Sequence, residues 1–159
     1  MQWSKITNII LISALAILAV FAILGFYQWI SHKSIKKVDK PLLAMFVPLI
    51  LMAATYFIFD KLLVLNTRPN GSGEASFPST HTMVVATIFF CVAIILPRYV
   101  KSRSFRIIID VIMLALLILV SVGRVLANMH WISDVVGGLI FAAIFATIYY
   151  LIVRRKQNA

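Results

Sequence analysis

The chain has 159 residues, of which 62% are hydrophobic and only 13% are charged, and its formal net charge is +10. This length predicts a single domain, and the composition excludes an ordinary water-soluble globule, which carries roughly 25% charged residues. A basic excess can indicate nucleic-acid binding, but basic and aromatic residues do not interleave here, so we expect no nucleic-acid partner.

Five apolar runs account for the excess of hydrophobic residues. They cover residues 6–30, 41–59, 82–97, 107–122 and 135–153, and only the fourth contains a charged residue, Asp110. A helix needs roughly 20 residues to cross a bilayer, which the third and fourth runs reach if their polar flanks, 79–81 and 102–106, extend the helices. Backbone groups in lipid must be hydrogen-bonded within the segment. The sequence therefore predicts an all-α fold, a polytopic membrane helix bundle with five transmembrane helices.

The first run could instead be a cleaved secretory signal. Its apolar stretch is longer than the roughly 7–15 residues typical of such signals, and the aromatic belt Tyr27-Gln28-Trp29 closes it. We therefore expect a retained helix.

The basic residues predict how the bundle is oriented. Eleven of the 15 follow the first, third and fifth runs and so fall on one side of the membrane: Lys33, Lys36, Lys37, Lys40, Arg98, Lys101, Arg103, Arg106, Arg154, Arg155 and Lys156. By the positive-inside rule that side is cytoplasmic. We predict a multi-pass protein of the cell (plasma or inner) membrane with its N-terminus outside and its C-terminus in the cytoplasm.

The polar residues left on the outer side fall in two short segments between helices. They are Lys61, Arg68, Ser79, His81, Arg124, His130 and Asp134. Cations and a hydroxyl can hold a tetrahedral oxyanion such as phosphate. Ser79 or Thr80 can cap a helix running from His81, and the free N–H groups at a helix start also favour phosphate.

Two histidines complete this set of polar residues. His130 and Asp134 are four residues apart and would share a helix face. A carboxylate that accepts one imidazole N–H leaves the other ring nitrogen free to attack. His81 would then donate a proton to a leaving oxygen.

Together these residues resemble the three signature motifs of the type 2 phosphatidic acid phosphatase (PAP2) superfamily. The motifs are Lys61 with Arg68-Pro69, then Pro78-Ser79-Thr80-His81, then Arg124 with His130 and Asp134. The resemblance covers about residues 41–153 and leaves the first helix outside. It implies a PAP2-like core of four helices plus one N-terminal helix, in a single integral-membrane domain over residues 1–159.

The resemblance also implies a role for each residue. His130 would be the nucleophile that forms a phosphohistidine, Asp134 would orient it, and His81 would protonate the leaving lipid oxygen. The phosphate-binding residues would be Lys61, Arg68, Ser79, Thr80 and Arg124, with backbone N–H groups at Thr80 and His81. The family implies no metal and no cofactor, and its substrates are membrane lipids that carry a phosphate or diphosphate.

Three departures from the family pattern bear on substrate preference more than on activity. Thr80 stands where the family usually has glycine, and Gly123 stands where it usually has serine before the motif arginine. Members commonly carry six helices, and we expect the first of these to have no counterpart in this chain.

The alternatives differ in class. A lipid phosphatase could act on undecaprenyl diphosphate, which an outward-facing site favours because it suits carrier-lipid recycling, or on phosphatidylglycerophosphate or phosphatidate. A non-catalytic lipid-phosphate binder or transporter would keep the same site without turnover. The related vanadate-dependent haloperoxidases are larger and soluble, so the five apolar runs argue against them. Each residue taken singly also has a structural explanation, such as a snorkelling Lys61 or a helix-stabilising His130–Asp134 pair.

Overall fold

The computed structural model describes residues 2–155. Lys156, one of the basic residues assigned to the cytoplasmic tail, lies outside the described residues. Within them the chain forms helices α1 (Gln2–His32), α2 (Lys40–Ala44), α3 (Phe46–Phe57), α4 (Thr80–Tyr99), α5 (Arg103–Leu126) and α6 (Ile132–Arg155). A 3-10 turn, Ile35–Lys37, precedes α2, and a π-helical turn, Ile58–Leu62, follows α3.

Five helical segments of the described chain are long and apolar enough to span a membrane. They are Gln2–His32, Lys40–Leu62, Thr80–Tyr99, Arg103–Leu126 and Ile132–Arg154. The second combines α2, α3 and the π-helical turn. The predicted five-helix membrane bundle is therefore confirmed, and the protein is a multi-pass membrane protein.

The second span is interrupted near its start by a proline. Pro48 has no N–H to donate to the carbonyl of Ala44, four residues earlier, and its ring crowds that carbonyl. Accordingly α2 ends at Ala44 and α3 begins at Phe46, with Met45 between them.

Helix α4 lies at the centre of the bundle and packs against α1, α3, α5 and α6. Its apolar side chains, among them Val85 and Phe89, are buried against Ala14 of α1, Val120 of α5 and Ala142 of α6. The outer helices instead expose large apolar side chains along their lengths. Apolar surfaces of this extent fit contact with the lipid tails of a membrane.

Two glycines of α6 allow it to approach the start of α4. A Cβ at Gly138 would lie 2.9 Å from the carbonyl oxygen of Ser79, and one at Gly137 would overlap the ring of Phe77. The sequence Gly137-Gly138 thus brings the N-termini of α4 and α6 together, as small residues do at interfaces between membrane helices. The start of α1 and the ends of α3 and α5 lie at the same end of the bundle.

The opposite end of the bundle is fixed by a polar network around Asp39. Its carboxylate accepts hydrogen bonds from Gln28 Nε2 at 3.2 Å and from the Tyr99 hydroxyl at 2.9 Å. Its backbone N–H donates to Gln28 Oε1 at 2.9 Å, and Arg98 Nη2 lies 3.9 Å from the carboxylate. This network joins the end of α1, the start of α2 and the end of α4.

Candidate active site

The segment between the π-helical turn and α4 folds back on itself as a short hairpin. Thr67 and Ala75 form an antiparallel bridge, and the backbone N–H of Arg68 donates to the Glu74 carbonyl at 3.0 Å. Gly71 and Gly73 at its tip have φ values of 76° and 73°, a region that favours glycine. The hairpin holds Arg68 on one strand and Ser76 after the other, so both reach the α5–α6 loop.

His130 sits in that α5–α6 loop and is 4% exposed. Its Nδ1 lies 2.8 Å from the backbone carbonyl oxygen of Ser76. A carbonyl can only accept, so Nδ1 carries the proton and Nε2 has the free lone pair. Nε2 accepts a long hydrogen bond, 3.4 Å, from Arg124 Nη2. The ring is therefore held as one tautomer with its lone pair directed at a cation.

The electrostatics keep this ring neutral. Burial, and after it the positive charge of Arg124, lowers the pKa of His130 from 6.5 to about 4. The hydrogen bond to Ser76 and the charge of Asp134 act in the opposite direction but are weaker. The lone pair on Nε2 is therefore available at neutral pH.

Asp134 is close to His130, but it does not make the direct hydrogen bond that the four-residue spacing suggests. Its Oδ2 lies 3.8 Å from Nδ1 of His130, beyond hydrogen-bond distance. Oδ2 instead accepts from the hydroxyl of Ser76 and from the backbone N–H of Trp131, the latter at 2.8 Å. The fully buried carboxylate thus holds Ser76, and the carbonyl of Ser76 holds His130.

Arg124 is the central cation of the site. Its side chain is 4% exposed, yet no salt bridge within residues 2–155 includes it. Its Nε is buried and has no hydrogen-bond partner among the described residues. Arg68 has a similarly unsatisfied Nε, although its Nη1 pairs with the exposed carboxylate of Glu74. Two guanidinium groups therefore retain unused donors inside the protein.

A cavity of ≈ 230 Å³ joins these groups at one end of the bundle. Its polar lining is Asp60, Arg68, Thr80, His81, Arg124 and His130. Its apolar lining is Leu11, Tyr56, Ala75, Phe77 and Pro78. The N-terminus of α4 opens onto it, and the first N–H groups of a helix have no partner within the helix. Such an arrangement can bind a small oxyanion next to a neutral imidazole.

Five of the eight residues expected at the site line the cavity, namely Arg68, Thr80, His81, Arg124 and His130. Asp134 does not line it, but it bonds Ser76, which in turn bonds His130. The structure does not bring Lys61 into the cavity. The side chain of Lys61 is 62% exposed, and its Nζ lies 2.7 Å from Asp60. The reason is the π-helical turn: a bond from Leu63 N–H to the Ile58 carbonyl adds a residue to the turn and rotates the following side chains. Asp60 therefore lines the cavity in place of Lys61.

Ser79, also expected to bind phosphate, lies outside the cavity lining. Helix α4 begins at Thr80, and Ser79 holds the cap position but makes no capping hydrogen bond through its side chain. Its hydroxyl lies 3.1 Å from Thr82 Oγ1, and its backbone N–H donates to the Asp134 carbonyl at 2.9 Å. Fully buried, Ser79 ties α4 to α6 and is absent from the cavity lining.

Two residues near the site were not singled out from the sequence. Ser76 acts through its carbonyl and hydroxyl, and its only signal was its place in the polar segment before α4. Asn8 lies on α1, and its Oδ1 is 2.8 Å from Nε2 of His81. An amide inside a long apolar run was the available signal for Asn8.

Across residues 2–155, no group of three or more His, Cys, Asp or Glu side chains is arranged to hold a metal ion.

The fold is similar to that of a known membrane enzyme. The crystal structure of a transmembrane PAP2-type phosphatidylglycerolphosphate phosphatase from Bacillus subtilis superimposes with a TM-score of 0.69. The match covers 98% of this chain and 75% of that one, with 20% sequence identity. At this identity the likeness establishes a shared fold. A comparison with curated proteins gave no match.

A match to the sequence identifies the family. A family model described as the PAP2 superfamily matches residues 59–158, a range that contains Arg68, His81, Arg124, His130 and Asp134. The resemblance found in the motifs is confirmed. With its five spanning helices and with these residues gathered at one end of the bundle, the chain belongs to the PAP2 superfamily.

Proposed function

We propose that this protein is an integral-membrane lipid phosphatase that works through a phosphohistidine on His130. The observation that carries the proposal is the position of Arg124, a buried cation without an acidic partner among the described residues, 3.4 Å from Nε2 of His130. A buried charge without a counterion is costly. An anionic substrate held at this point supplies the counterion and meets the imidazole.

The phosphoryl group would be bound by Arg68, Arg124 and the start of α4. The unsatisfied Nε donors of both arginines can donate to its oxygens, as charge-assisted hydrogen bonds do. Thr80 and His81 can add backbone N–H groups, supported by the positive end of the helix dipole. Binding the anion draws the Arg124 guanidinium from Nε2 of His130 and leaves that lone pair free. Lys61 and Ser79 are not part of this set.

His130 would then attack the phosphorus. Its Nε2 lone pair forms a P–N bond while the bond between phosphorus and the leaving lipid oxygen breaks. The N–H on Nδ1 stays hydrogen-bonded to the Ser76 carbonyl, 2.8 Å away, and this bond strengthens as the ring becomes cationic. Asp134 stabilises the same charge through Ser76. The acid would thus orient the histidine as in a catalytic triad, but through one intervening residue, Ser76.

His81 would supply the proton that the leaving oxygen needs. It lines the same cavity as His130 and both arginines. Once it has given up this proton, the neutral ring can take a proton from a water that attacks the phosphohistidine. Hydrolysis of the P–N bond then yields inorganic phosphate and returns both histidines to their starting states.

The surroundings of the site favour a lipid over a soluble phosphate ester. The apolar lining includes Leu11 and Tyr56 from two spanning helices, and the side chain of Tyr56 is also exposed at the surface of the bundle. By the distribution of basic residues, this end of the bundle faces outward and Lys33, Lys36 and Lys37 face the cytoplasm. We place the reaction at the extracytoplasmic face of the cell membrane.

Two lipids are the leading substrates. Undecaprenyl diphosphate is the first, because a carrier lipid that is released outside as a diphosphate must be dephosphorylated at that face before reuse. Phosphatidylglycerophosphate is the second, favoured by the fold shared with the Bacillus subtilis enzyme of that description. Phosphatidate is a third candidate substrate.

The test is phosphate release by purified protein in detergent with EDTA present. Undecaprenyl diphosphate, phosphatidylglycerophosphate and phosphatidate are each offered to the wild type, to His130→Ala and to His32→Ala. His32 is the matched control, an exposed histidine at the opposite end of the bundle. We expect metal-independent release that His130→Ala abolishes and His32→Ala leaves unchanged. Lipid binding without release by a folded wild type would instead identify a non-catalytic binder.

A further inference from the structure

Helix α1 lies outside the matched family range of residues 59–158, yet it contributes a side chain to the site. We propose that Asn8 is a positioning residue for His81. By accepting the N–H of Nε2, it fixes the ring so that Nδ1 is the nitrogen that exchanges a proton with substrate and water. This inference rests on the proposed function, because it assigns His81 the general-acid role.

Asn8 and His81 are in direct contact. Asn8 Oδ1 and His81 Nε2 are 2.8 Å apart, a full-strength hydrogen bond between two spanning helices. An amide oxygen only accepts, so Nε2 is the donor in this pair. The hydrogen bond at one ring nitrogen determines which tautomer a neutral histidine adopts. Proton transfer is thereby confined to Nδ1.

Helix α1 is held in register by its packing against α5. Thr7, next to Asn8, is fully buried against α5. A Cβ added at Gly123 would lie only 2.7 Å from Thr7 Cγ2 and 3.4 Å from the ring of Trp3. Glycine at position 123 is therefore what allows α1 to approach α5 immediately before Arg124. This explains the departure from the serine usual in the family and ties the position of Asn8 to the phosphate-binding arginine.

Asn8 differs from two other polar residues of the same helix in its hydrogen-bond partner. The hydroxyls of Thr7 and Ser13 donate to carbonyls of α1 itself, those of Ser4 and Ile9. Polar groups inside a membrane helix normally find such local partners. Asn8 is bonded instead to a side chain that lines the reaction cavity.

The test uses the full-length protein in detergent with ¹⁵N-labelled histidine at alkaline pH, where the rings are neutral. The ring signals of His81 are identified by their loss in His81→Gln. We expect an Nε2–H tautomer in the wild type and in Asn8→Asp, which keeps an acceptor oxygen. Asn8→Leu, of similar size but without an acceptor, should lose this preference. Ser13→Ala is the matched control and should leave the signals unchanged.

The same variants are then assayed for turnover on the lipid that the wild type prefers. Asn8→Leu should lower kcat roughly 10- to 100-fold with little change in KM, part of the roughly 10²–10⁴-fold that a general acid contributes. An Nδ1–H tautomer in the wild type, an unchanged tautomer in Asn8→Leu, or an altered tautomer with unchanged kcat would each overturn the proposal. If the wild type releases no phosphate from any lipid, the proposed function fails, and the tautomer measurement still decides the Asn8 contact.

Discussion

The backbone carbonyl of Ser76, and not the carboxylate of Asp134, accepts the Nδ1 proton of His130. The Ser76 oxygen is 2.8 Å from Nδ1, whereas Asp134 Oδ2 is 3.8 Å away. Asp134 is bonded to the hydroxyl of the same serine. Ser76 therefore links the buried acid to the ring. A mutation can remove the Ser76 hydroxyl, which bonds Asp134, and keep the Ser76 carbonyl, which bonds His130.

Ser76→Ala keeps the carbonyl and removes the hydroxyl. We expect kcat to fall roughly 10- to 100-fold, since a good hydrogen bond to a charged group is worth about 1.5–3 kcal/mol. Asp134→Ala should lower kcat further, because it also leaves the Trp131 N–H unpaired. Steady-state phosphate release measures both variants. Ser72→Ala, at an exposed serine of the same hairpin, is the control. Wild-type activity in Ser76→Ala would mean that Asp134 acts on His130 without this serine.

The protonation of His130 gives a pH prediction. Burial and the Arg124 charge lower the pKa of His130 to about 4. The neutral ring therefore persists above that pH and is lost only as the pH falls through it. ¹⁵N spectra of the free protein should show a neutral His130 ring from pH 7 down to about 5, where an ordinary histidine with a pKa of about 6.5 is already protonated.

The same spectra, recorded on Arg124→Gln, test whether the charge of Arg124 lowers the pKa of His130. Removing the cation should move the His130 transition to higher pH, though not to the ordinary value, because burial remains the larger influence. A wild-type transition centred near pH 6.5 would contradict the buried, cation-facing position of the ring.

Arg124 itself should tolerate no cationic replacement. Arg124→Lys preserves the charge but loses the planar fork that can bind two phosphoryl oxygens and reach Nε2 of His130. We expect kcat/KM to fall about 10²–10³-fold, the range seen when one donor to a developing oxyanion is removed. Arg103→Lys, an exposed arginine at the other end of the bundle, serves as control. Equal activity of the two variants would exclude directional phosphate binding by Arg124.

Glu74 is paired with Arg68, so we predict that it competes with a bound phosphate for this guanidinium. Its carboxylate, on a side chain that is 60% exposed, is paired with the Arg68 guanidinium that lines the cavity. Glu74→Gln should lower KM by about two- to fivefold and leave kcat unchanged, because an exposed ion pair is worth only about 0.2–1 kcal/mol. The effect should shrink at high salt, which screens the pair. An increase in KM would show that Glu74 positions Arg68 and does not block it.

Much of this architecture follows from the sequence because its causes are local. Apolar runs of sufficient length must be helical in lipid, and motif residues at helix ends on the same side of the bundle must lie at one membrane face. Arg68, His81, Arg124 and His130 accordingly line one cavity. The direction of Lys61 was not predictable, because a π-helical turn depends on how α3 packs and leaves no clear pattern in the sequence.

The contacts of Ser76 and Asn8 were beyond sequence reasoning for a related reason. Every residue has a backbone carbonyl, so no residue type marks the one that meets His130, 54 positions along the chain. Asn8 reaches His81 because α1 packs against α4 and, at Gly123, closely against α5. Contacts between helices that are distant in sequence are determined by packing, which a single sequence does not display.

This packing gives the last prediction, which concerns a substitution toward the family pattern. Gly123→Ser should destabilise the protein by roughly 1–3 kcal/mol, the usual cost of overpacking, because its Cβ would lie 2.7 Å from Thr7 Cγ2. Thr7→Ser removes only that methyl group and keeps the hydroxyl bonded to the Ser4 carbonyl.

The double variant Gly123→Ser/Thr7→Ser should therefore recover most of the lost stability, measured as Tm in detergent, and with it the activity. Gly25→Ala is the matched control, since a Cβ there would meet nothing closer than 3.8 Å. A fully stable Gly123→Ser single variant would mean that α1 can shift away from α5. The Asn8–His81 hydrogen bond would then be the contact to test for loss, because α1 carries Asn8.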